Sequence, residues 1–502
     1  MSDHQEIETK FEVDAEFNLP GLGDLPGCAA VTLSDVQLLG ATYYDAPGLP
    51  LAAHGVTLRR RTGGTDEGWH LKLPVSAGVR RELGEPLTPA ADGPPRRLLD
   101  LAAHRLRGAR PEPVATLTTR RSVRRLLDGD GRTLAEIADD SVVGTTGPDA
   151  PAVSWREVEV ELGTGSAELL AAVGERLLTA GARPAASASK LARVLGDPRP
   201  EPDRWPKDST AAGVVLPALR RHYEKLVTND PLVRLRGADA VHQMRVSARR
   251  SRALLRAYSS LFDPAAARQV ADELRWLGRA LAPARDAEVM RARIAHRVAA
   301  LPGPPPGAEA LAAELDAELA ERERDAYAVA DEVLAGDRYR ELLDRLDALI
   351  ADPPLTPRGR AKARPELARA VADSWKRVER AEKRAKRADT QDAADTARHD
   401  VRKAAKRARY AADAASGALG KPARRLAKLA KRVQTALGDQ QDGVVARDEL
   451  TAIAGHRADS PNGFALGLLT GTEYVEIERA RTHYLEVRRP KRARKLVAKM
   501  KR

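Results

Sequence analysis

Residues 6–13 read EIETKFEV, and the stretch alternates strictly: Glu6, Glu8, Lys10 and Glu12 fall on one side, Ile7, Thr9, Phe11 and Val13 on the other. Period-two alternation with β-branched and aromatic residues predicts a strand. A half-buried antiparallel strand with one wet face is the ordinary outcome of such a pattern. The same phase recurs, however. LRRR (58–61) sets Arg59 with Arg61, and WHLKL (69–73) sets His70 and Lys72 opposite Trp69, Leu71 and Leu73. RREL continues with Arg80 and Glu82, and REVEVEL (156–162) sets Glu157, Glu159 and Glu161 against Val158, Val160 and Leu162. Between them, ATLTTRRSVRRLL carries Arg120, Arg121, Arg124 and Arg125, and LAEIADD carries Glu136, Asp139 and Asp140. At least five strands therefore present charge on one face, and two of them are almost purely acidic there. One solution is a closed barrel with its apolar faces outward under helices and its charged faces inward. Carboxylates in such an interior suit hard divalent cations such as Mg2+ or Mn2+, and Arg and Lys suit phosphate oxygens.

The bulk numbers set this unit apart from the rest. A chain of 502 residues calls for two or three compact units. With 43% hydrophobic and 31% charged residues it reads as soluble and globular. No apolar run approaches the roughly 18 residues of a membrane span. The start, MSDHQEIETK, lacks the layout of a signal peptide. Cys28 is the single cysteine, so the chain by itself builds neither a disulfide framework nor a thiolate metal site, and the expected compartment is the cytoplasm. Residues 1–196 hold 22 Lys/Arg against 27 Asp/Glu, a net of −5, whereas the remainder holds 62 against 44, a net of +18. An acidic front and a basic back argue for two domains, and the basic one favours polyanions.

The proline- and charge-rich DPRPEPDRWPKDST (197–210) has no periodicity and reads as a linker. It separates an α+β domain at 1–196, through a linker at 197–207, from an all-α domain at 208–499. A second break, DPPLTPRGRAKARP (352–365), divides the latter into halves of about 208–350 and 366–499, LPGPPPG (301–307) interrupts the first half, and KRARKLVAKMKR ends the chain as a helix or a frayed tail. The two halves carry one motif twice. VHQMRVSARRSRALL (241–255) superposes without a gap on RHDVRKAAKRARYAA (398–412). His242 matches His399, Arg245 matches Arg402, Arg249 and Arg250 match Lys406 and Arg407, and Arg252 matches Arg409. Downstream, ALAPARD ends at Asp286 and ALGDQQD at Asp442. Helical spacing lines up His242, Arg245, Arg249, Arg252 and Arg256 in one stripe, with Val241, Met244, Ala248 and Leu255 on the adjoining face to pack. His399, Arg402, Lys406 and Arg409 repeat the stripe, with Lys403 beside it. A one-sign stripe repels itself unless an anion sits on it. With only 4% aromatic residues, base stacking is poorly provided for, which disfavours nucleic acid as a specific partner.

Glu6-x-Glu8-x-Lys10, YYDAPGLPLAAHGVTLRRR, HLKLP and EVEVEL, in that order over residues 1–196, resemble the CYTH superfamily of triphosphatases and class IV adenylate cyclases. The resemblance implies an antiparallel β-tunnel that holds a triphosphate and Mg2+ or Mn2+. It implies that Glu6, Glu8, Glu159 and Glu161 bind metal or activate water, with Glu136 and Asp140 joining the acids. It implies further that Lys10, Arg59, Arg61, Lys72, Arg80 and Lys190 hold phosphates. The strand at 118–126 reads in either phase, so Arg120 or Arg121 joins them. The phase adopted puts Arg120 and Arg124 inward. Asp140 is preferred to Asp139 because Glu136 shares its parity. On the opposite face of the first strand, Ile7, Thr9 and Phe11 become the part that packs. The two basic motifs are similar to those of the CHAD domain, which implies inorganic polyphosphate bound along a basic groove between two pseudo-symmetric helical halves. Its contacts would be His242, Arg245, Arg249, Arg250, Arg252, His399, Arg402, Lys403, Lys406, Arg407 and Arg409. The expected function is metal-dependent hydrolysis of triphosphate in the tunnel, with polyphosphate bound by the basic domain and association with polyphosphate granules. The rivals are a non-catalytic polyphosphate-binding protein, a thiamine-triphosphatase, and a cyclase acting on ATP.

Overall fold

A computed structural model describes residues 2–76, 78–88, 93–300, 308–456 and 463–501. The LPGPPPG segment at 301–307 lies outside the described residues. The chain forms two compact units, Met1–Glu201 and Pro202–Arg502.

In the first unit the alternating segments become β1 (Ser2–Val13), β2 (Ala30–Leu33), β3 (Gln37–Asp45), β4 (Thr57–Thr62), β5 (Gly68–Ser76) and β6 (Val79–Glu85). After α1 (Arg96–Leu106) come β7 (Glu112–Leu127), β8 (Thr133–Thr145) and β9 (Val153–Leu162). The unit ends with α2 (Ala167–Thr179), the short β10 (Arg183–Pro184) and α3 (Lys190–Leu195). The order β1-β6-β5-β4-β3-β7-β8-β9 closes because β1 also pairs with β9, giving an eight-stranded antiparallel barrel. β1 achieves the closure by changing partner along its length: Ser2–Ile7 pair with β6 and Glu8–Val13 with β9. The tight β4–β5 hairpin needs Gly63, at φ 77°, where a Cβ would stand 2.4 Å from the Leu38 carbonyl oxygen.

The apolar faces do point outward. Phe11 and Val13 of β1, Ile137 of β8 and Val158 and Val160 of β9 share a core with Leu169, Val173 and Leu177 of α2. Packing on β1 begins only at Phe11; Thr9, expected to pack, is exposed, and Ile7 is half-buried. The helix that seals this face is capped by Ser166, whose Oγ accepts from the Leu169 N–H at 3.3 Å. Ser166→Ala should therefore lower the stability of this unit by about 1 kcal/mol. A urea titration checks it, and an unmoved midpoint would contradict it.

The second unit runs α4 (Ala211–Arg234), α5 (Ala240–Ala257), α6 (Pro264–Ala280), α7 (Ala282–Ala299), α8 (Ala308–Ala335) and α9 (Asp337–Ala351). Then come α10 (Pro357–Arg360), α11 (Ala363–Lys386), α12 (Gln391–Ala414), α13 (Ser416–Leu419), α14 (Lys421–His456), α15 (Gly463–Val487) and α16 (Pro490–Met500). Trp205, in the proline-rich stretch, is tied to this unit through its indole N–H, which donates to the Ile350 carbonyl at 2.8 Å. The 352–365 break holds the one-turn α10, and the basic end is a helix, α16, that buries Ala493, Leu496 and Met500. The repeated motifs are α5 and α12, which pack against each other. The main core draws residues from both halves, from Ala211 to Met500, and a smaller cluster joins α7 and α8 to α14 and α15, so neither half closes a core alone. The copies differ where Pro283 sits: the first has α6 and α7 with Pro283 opening α7, and the second, lacking a proline there, runs on as α14. Among the described residues no helix is long and apolar enough to cross a membrane.

Candidate functional site

The barrel encloses a cavity of about 300 Å3. Into it project Glu6, Glu8 and Lys10 from β1, Arg59 and Arg61 from β4, Lys72 from β5, and Arg80 and Glu82 from β6. Arg121 and Arg125 enter from β7, Glu136 from β8, Glu159 and Glu161 from β9, and Lys190 from the first turn of α3. Because β8, β9, β1 and β6 are neighbours around the barrel, most carboxylates share one wall, while Arg59, Arg61, Arg121 and Arg125 come from the β4–β3–β7 side. Eight Lys/Arg and seven Asp/Glu line the cavity, so the side chains nearly neutralise one another. A polyanion admitted here needs cations beyond those the protein supplies.

On the acidic side, Lys72 Nζ lies 2.7 Å from Glu6 and 3.1 Å from Glu82, and His70 Nδ1 lies 2.7 Å from Glu82. Burial, followed by a hydrogen bond with Glu82, pushes the Glu6 carboxyl up to about 8. Burial would raise Glu82 too, but the bond from His70 and the charge of Lys72 hold it far below the usual carboxylate range. Glu161 is raised by burial, with Glu136, Glu82 and Glu8 adding like charge. Glu6 and Glu161 are thus carboxylates short of positive charge, whereas Glu82 is compensated by its basic neighbours. One ligand atom each from His4, Glu6 and Glu161 lie within 4.8 Å of one another. Hard oxygen donors, buried and under-compensated, fit Mg2+ or Mn2+.

A second acidic group, Asp140, Glu157 and Glu159, has similar spacing. Its centre is taken by an ammonium: Lys190 Nζ lies 3.0, 2.7 and 2.6 Å from the three carboxylates. Arg121 donates to both oxygens of Asp140, at 2.8 and 2.6 Å, and to Glu159 at 2.9 Å. Lys10 Nζ stands 2.5 Å from Glu159 and 3.1 Å from Glu8, and Arg80 stands 3.5 Å from Glu8. Asp140 and Glu159, expected among the metal ligands, thus hold basic side chains in place. Across the cavity the cations are crowded. Burial, then the neighbouring Arg59 and Arg121, brings the Arg61 guanidinium down to about 10. The buried Arg59 Nε has no hydrogen-bond partner. An anion seated between these guanidinium groups would relieve both conditions.

The strand at 118–126 takes the other phase from the one adopted. β7 sends Leu117, Thr119, Arg121, Val123 and Arg125 inward, so Arg120 and Arg124 lie outside the tunnel. Arg120 is exposed, and Arg124 donates to the Leu19 and Pro20 carbonyls at 3.3 Å each. The inward face contains Leu117 and Val123, so the rule that apolar residues face out misleads here. The usable signal is register: Arg121 pairs with Asp140 and Arg125 with Glu136, so choosing Asp140 as inward fixes Arg121 with it. Asp139 faces outward and binds Arg156 at 2.8 Å. Glu82, Glu157, His70 and His4 belong to the site or its rim. Glu82 and Glu157 share the phase of their assigned neighbours, and so does His4, two residues ahead of Glu6 on β1 and just outside the alternating EIETKFEV stretch.

In the second unit the paired motifs meet at the α5–α12 seam. Burial, then Arg402 and Arg249, lowers Lys406 to about 7. Burial and Asp286 act oppositely on Arg245, which ends below its ordinary value, and burial with Arg256, Arg275 and Arg407 brings Arg252 to about 10. Burial, then Arg377 and Arg256, lowers Arg407 as well. The stripe residues are not wholly without acids: Arg245 lies 3.4 Å from Asp286 and Arg402 3.7 Å from Asp442, matched contacts in the two copies. Those acids come from neighbouring helices, beyond the reach of same-helix spacing. Arg250 and Arg409 flank the Tyr410 ring at 5.5 and 5.6 Å, away from Arg249, so the basic residues form more than one continuous line. His242 and His399 are half-buried and are held below the usual imidazole range, by burial first and then by Arg285 and Lys403 respectively. Lys403 is exposed, 3.7 Å from Asp400. The Nε atoms of Arg249, Arg250 and Arg402 are buried without partners.

The family models that match are the CYTH domain over residues 4–194 and the CHAD domain over residues 217–451. An uncharacterized protein of Mycobacterium tuberculosis is 38% identical over 500 residues, covering 95% of this chain and 94% of its own. Among solved structures, PptA from Streptomyces chartreusis is 24% identical with a TM-score of 0.47, covering 56% of this chain and 99% of that one. The CHAD domain from the plant Ricinus communis is 24% identical with a TM-score of 0.44, covering 57% of this chain and 94% of that one. With both domain models in order and a relative alike along nearly its whole length, this chain belongs to the family of proteins that join a CYTH domain to a CHAD domain.

Proposed function

We propose that the tunnel hydrolyses inorganic triphosphate, or a related triphosphate, with Mg2+ or Mn2+, and that the helical unit binds inorganic polyphosphate. The observation that carries the first part is the separation of charge in one enclosed cavity: under-compensated carboxylates on one wall, crowded guanidinium groups on the other. Members of the CYTH family are triphosphatases or cyclases, which agrees with that chemistry. Arg59, Arg61 and Arg121 would bind the phosphate chain, Arg bidentately where its fork allows. Lys10 and Lys72, each tied to carboxylates, would orient the phosphoryl group at the acidic wall. Lys190 and Arg121, fixed by Asp140, Glu157 and Glu159, would tie the acidic wall to the guanidinium groups of β7. Glu6 and Glu161, with Glu8 beside them, would hold the divalent cation, which when bound supplies Lewis-acid polarisation of phosphoryl oxygens. Phosphoryl transfer leaves a protein chiefly this positioning and electrostatic work.

Incubation with tripolyphosphate, thiamine triphosphate, ATP and long-chain polyphosphate tests the tunnel. Phosphate released from tripolyphosphate supports the proposal, while pyrophosphate with a cyclic nucleotide from ATP favours the cyclase reading. For the helical unit, polyphosphate should displace DNA at fixed salt far better than the reverse; equal displacement would indicate nonspecific cation binding.

Lys406 gives the second part a pH signature. It faces Arg245 and Arg249 of α5, Arg402 of its own helix and Asp442 of α14. In the free protein it loses its proton near pH 7, and a bound polyanion would raise that value. Binding then takes up a proton above pH 7, so affinity is full below that pH and falls as pH rises, by at most about tenfold per unit. His242 and His399 start below their usual range, and any rise the polyanion causes in them adds to the same fall. Titration calorimetry with polyphosphate between pH 7 and about 9 should show the fall, and Lys406→Arg should make it shallower.

A further inference from the structure

We infer that His4 is a ligand of the cation held in the tunnel and biases that site toward Mn2+ over Mg2+. The inference rests on the reading of the tunnel as a metal site and adds a residue and a selectivity to it. His4 shares the phase of Glu6, Glu8 and Lys10 on β1, and its cross-strand partner on β6 is Glu82, so its ring stands on the lumen face at the rim. His4 Nε2 lies 3.7 Å from a Glu6 oxygen and 3.7 Å from a Glu82 oxygen. With Glu161, His4 and Glu6 bring three ligand atoms within 4.8 Å of one another. The span between opposite ligands of a small six-coordinate divalent ion is about 4 Å. A rotamer-scale adjustment suffices, and the ring has room for it, being 51% exposed where Glu6 is 5%. The plain alternative is that His4 only pairs with the two carboxylates.

Donor type sets the selectivity. Mg2+ takes oxygen ligands, keeps its waters and fits imidazole poorly. Mn2+ also accepts carboxylates and, as a transition-metal ion, binds an imidazole nitrogen more strongly than Mg2+ does, although later members of its series bind nitrogen more strongly still. An imidazole added to carboxylates therefore favours Mn2+.

The full chain loaded with Mn2+ alone, without substrate, tests this by pulsed electron paramagnetic resonance, which detects a directly bound nitrogen as spin-echo modulation. The expected result is nitrogen modulation in the wild type that disappears in His4→Ala. Alongside it, the Mn2+ over Mg2+ affinity ratio should fall by about tenfold or more, the lower end of what losing even a supporting group costs a metal site. Bound Mn2+ with no nitrogen modulation in the wild type overturns the inference and leaves the metal site standing. Modulation that persists in His4→Ala also overturns it, and assigns the nitrogen elsewhere, His70 first. Failure of the wild type to bind Mn2+ at all overturns both the inference and the reading beneath it.

Discussion

The Glu6→Gln protein is expected to fold as the wild type does and to release phosphate from tripolyphosphate at least about 10²- to 10³-fold more slowly, the usual cost of removing one preorganised charge-stabilising group. The two halves of this expectation come from one environment. Glu6 is buried beside Glu82, and its carboxyl is pushed up to about 8, so at neutral pH the free protein holds it mostly protonated. A neutral amide of the same shape costs the empty barrel little, and its oxygen still accepts from Lys72. What the amide cannot do is become an anion when a divalent cation and a polyanion arrive together. Turnover measured at saturating metal, with a denaturation midpoint beside it, checks both halves. Unchanged turnover would remove Glu6 from the machinery. Arg59→Ala, on the opposite wall, should raise KM more than it lowers kcat.

Asp140→Asn should do the reverse and damage the fold. Asp140 is fully buried, binds Arg121 through both oxygens and lies 3.0 Å from Lys190. Burial alone would raise its pKa, but Lys190 and Arg121 hold it below the ordinary value, so it is ionised in the folded state. An amide leaves a guanidinium and an ammonium under-compensated inside the barrel, which costs about 3–5 kcal/mol. The neighbouring Asp139, paired with Arg156 outside the tunnel at partly exposed positions, should lose no more than about 1 kcal/mol on the same change. Denaturant unfolding of the two variants side by side measures the contrast. Equal losses would show that the outward pair matters as much as the inward one.

These two adjacent aspartates also show how much was legible beforehand. The barrel was readable because EIETKFEV and REVEVEL keep a strict period of two, and a one-residue slip would turn every charge to the wrong face. The helical repeat was readable because His242 and His399 head the same basic spacing without a gap. The phase of β7 was not readable from alternation, since Thr119, Arg120 and Arg121 give no apolar marker and Leu117 and Val123 point inward. It needed the strand register, which is a property of β8 as much as of β7. Nor does sequence spacing reveal that Lys190 fills the Asp140–Glu157–Glu159 group, because that pairing joins residues from three separate elements. The same holds for Asp286 and Asp442, which reach the basic stripes from α7 and α14.

The most direct test of triphosphate hydrolysis in the tunnel monitors tripolyphosphate by phosphorus NMR with the purified full chain, with Mg2+ or Mn2+ and then with a chelator. Phosphate and pyrophosphate should appear together in equal amounts only when metal is present, and at least about 10²-fold more slowly with Glu6→Gln. A wild-type protein that leaves tripolyphosphate intact with both metals from neutral to alkaline pH would contradict this mechanism.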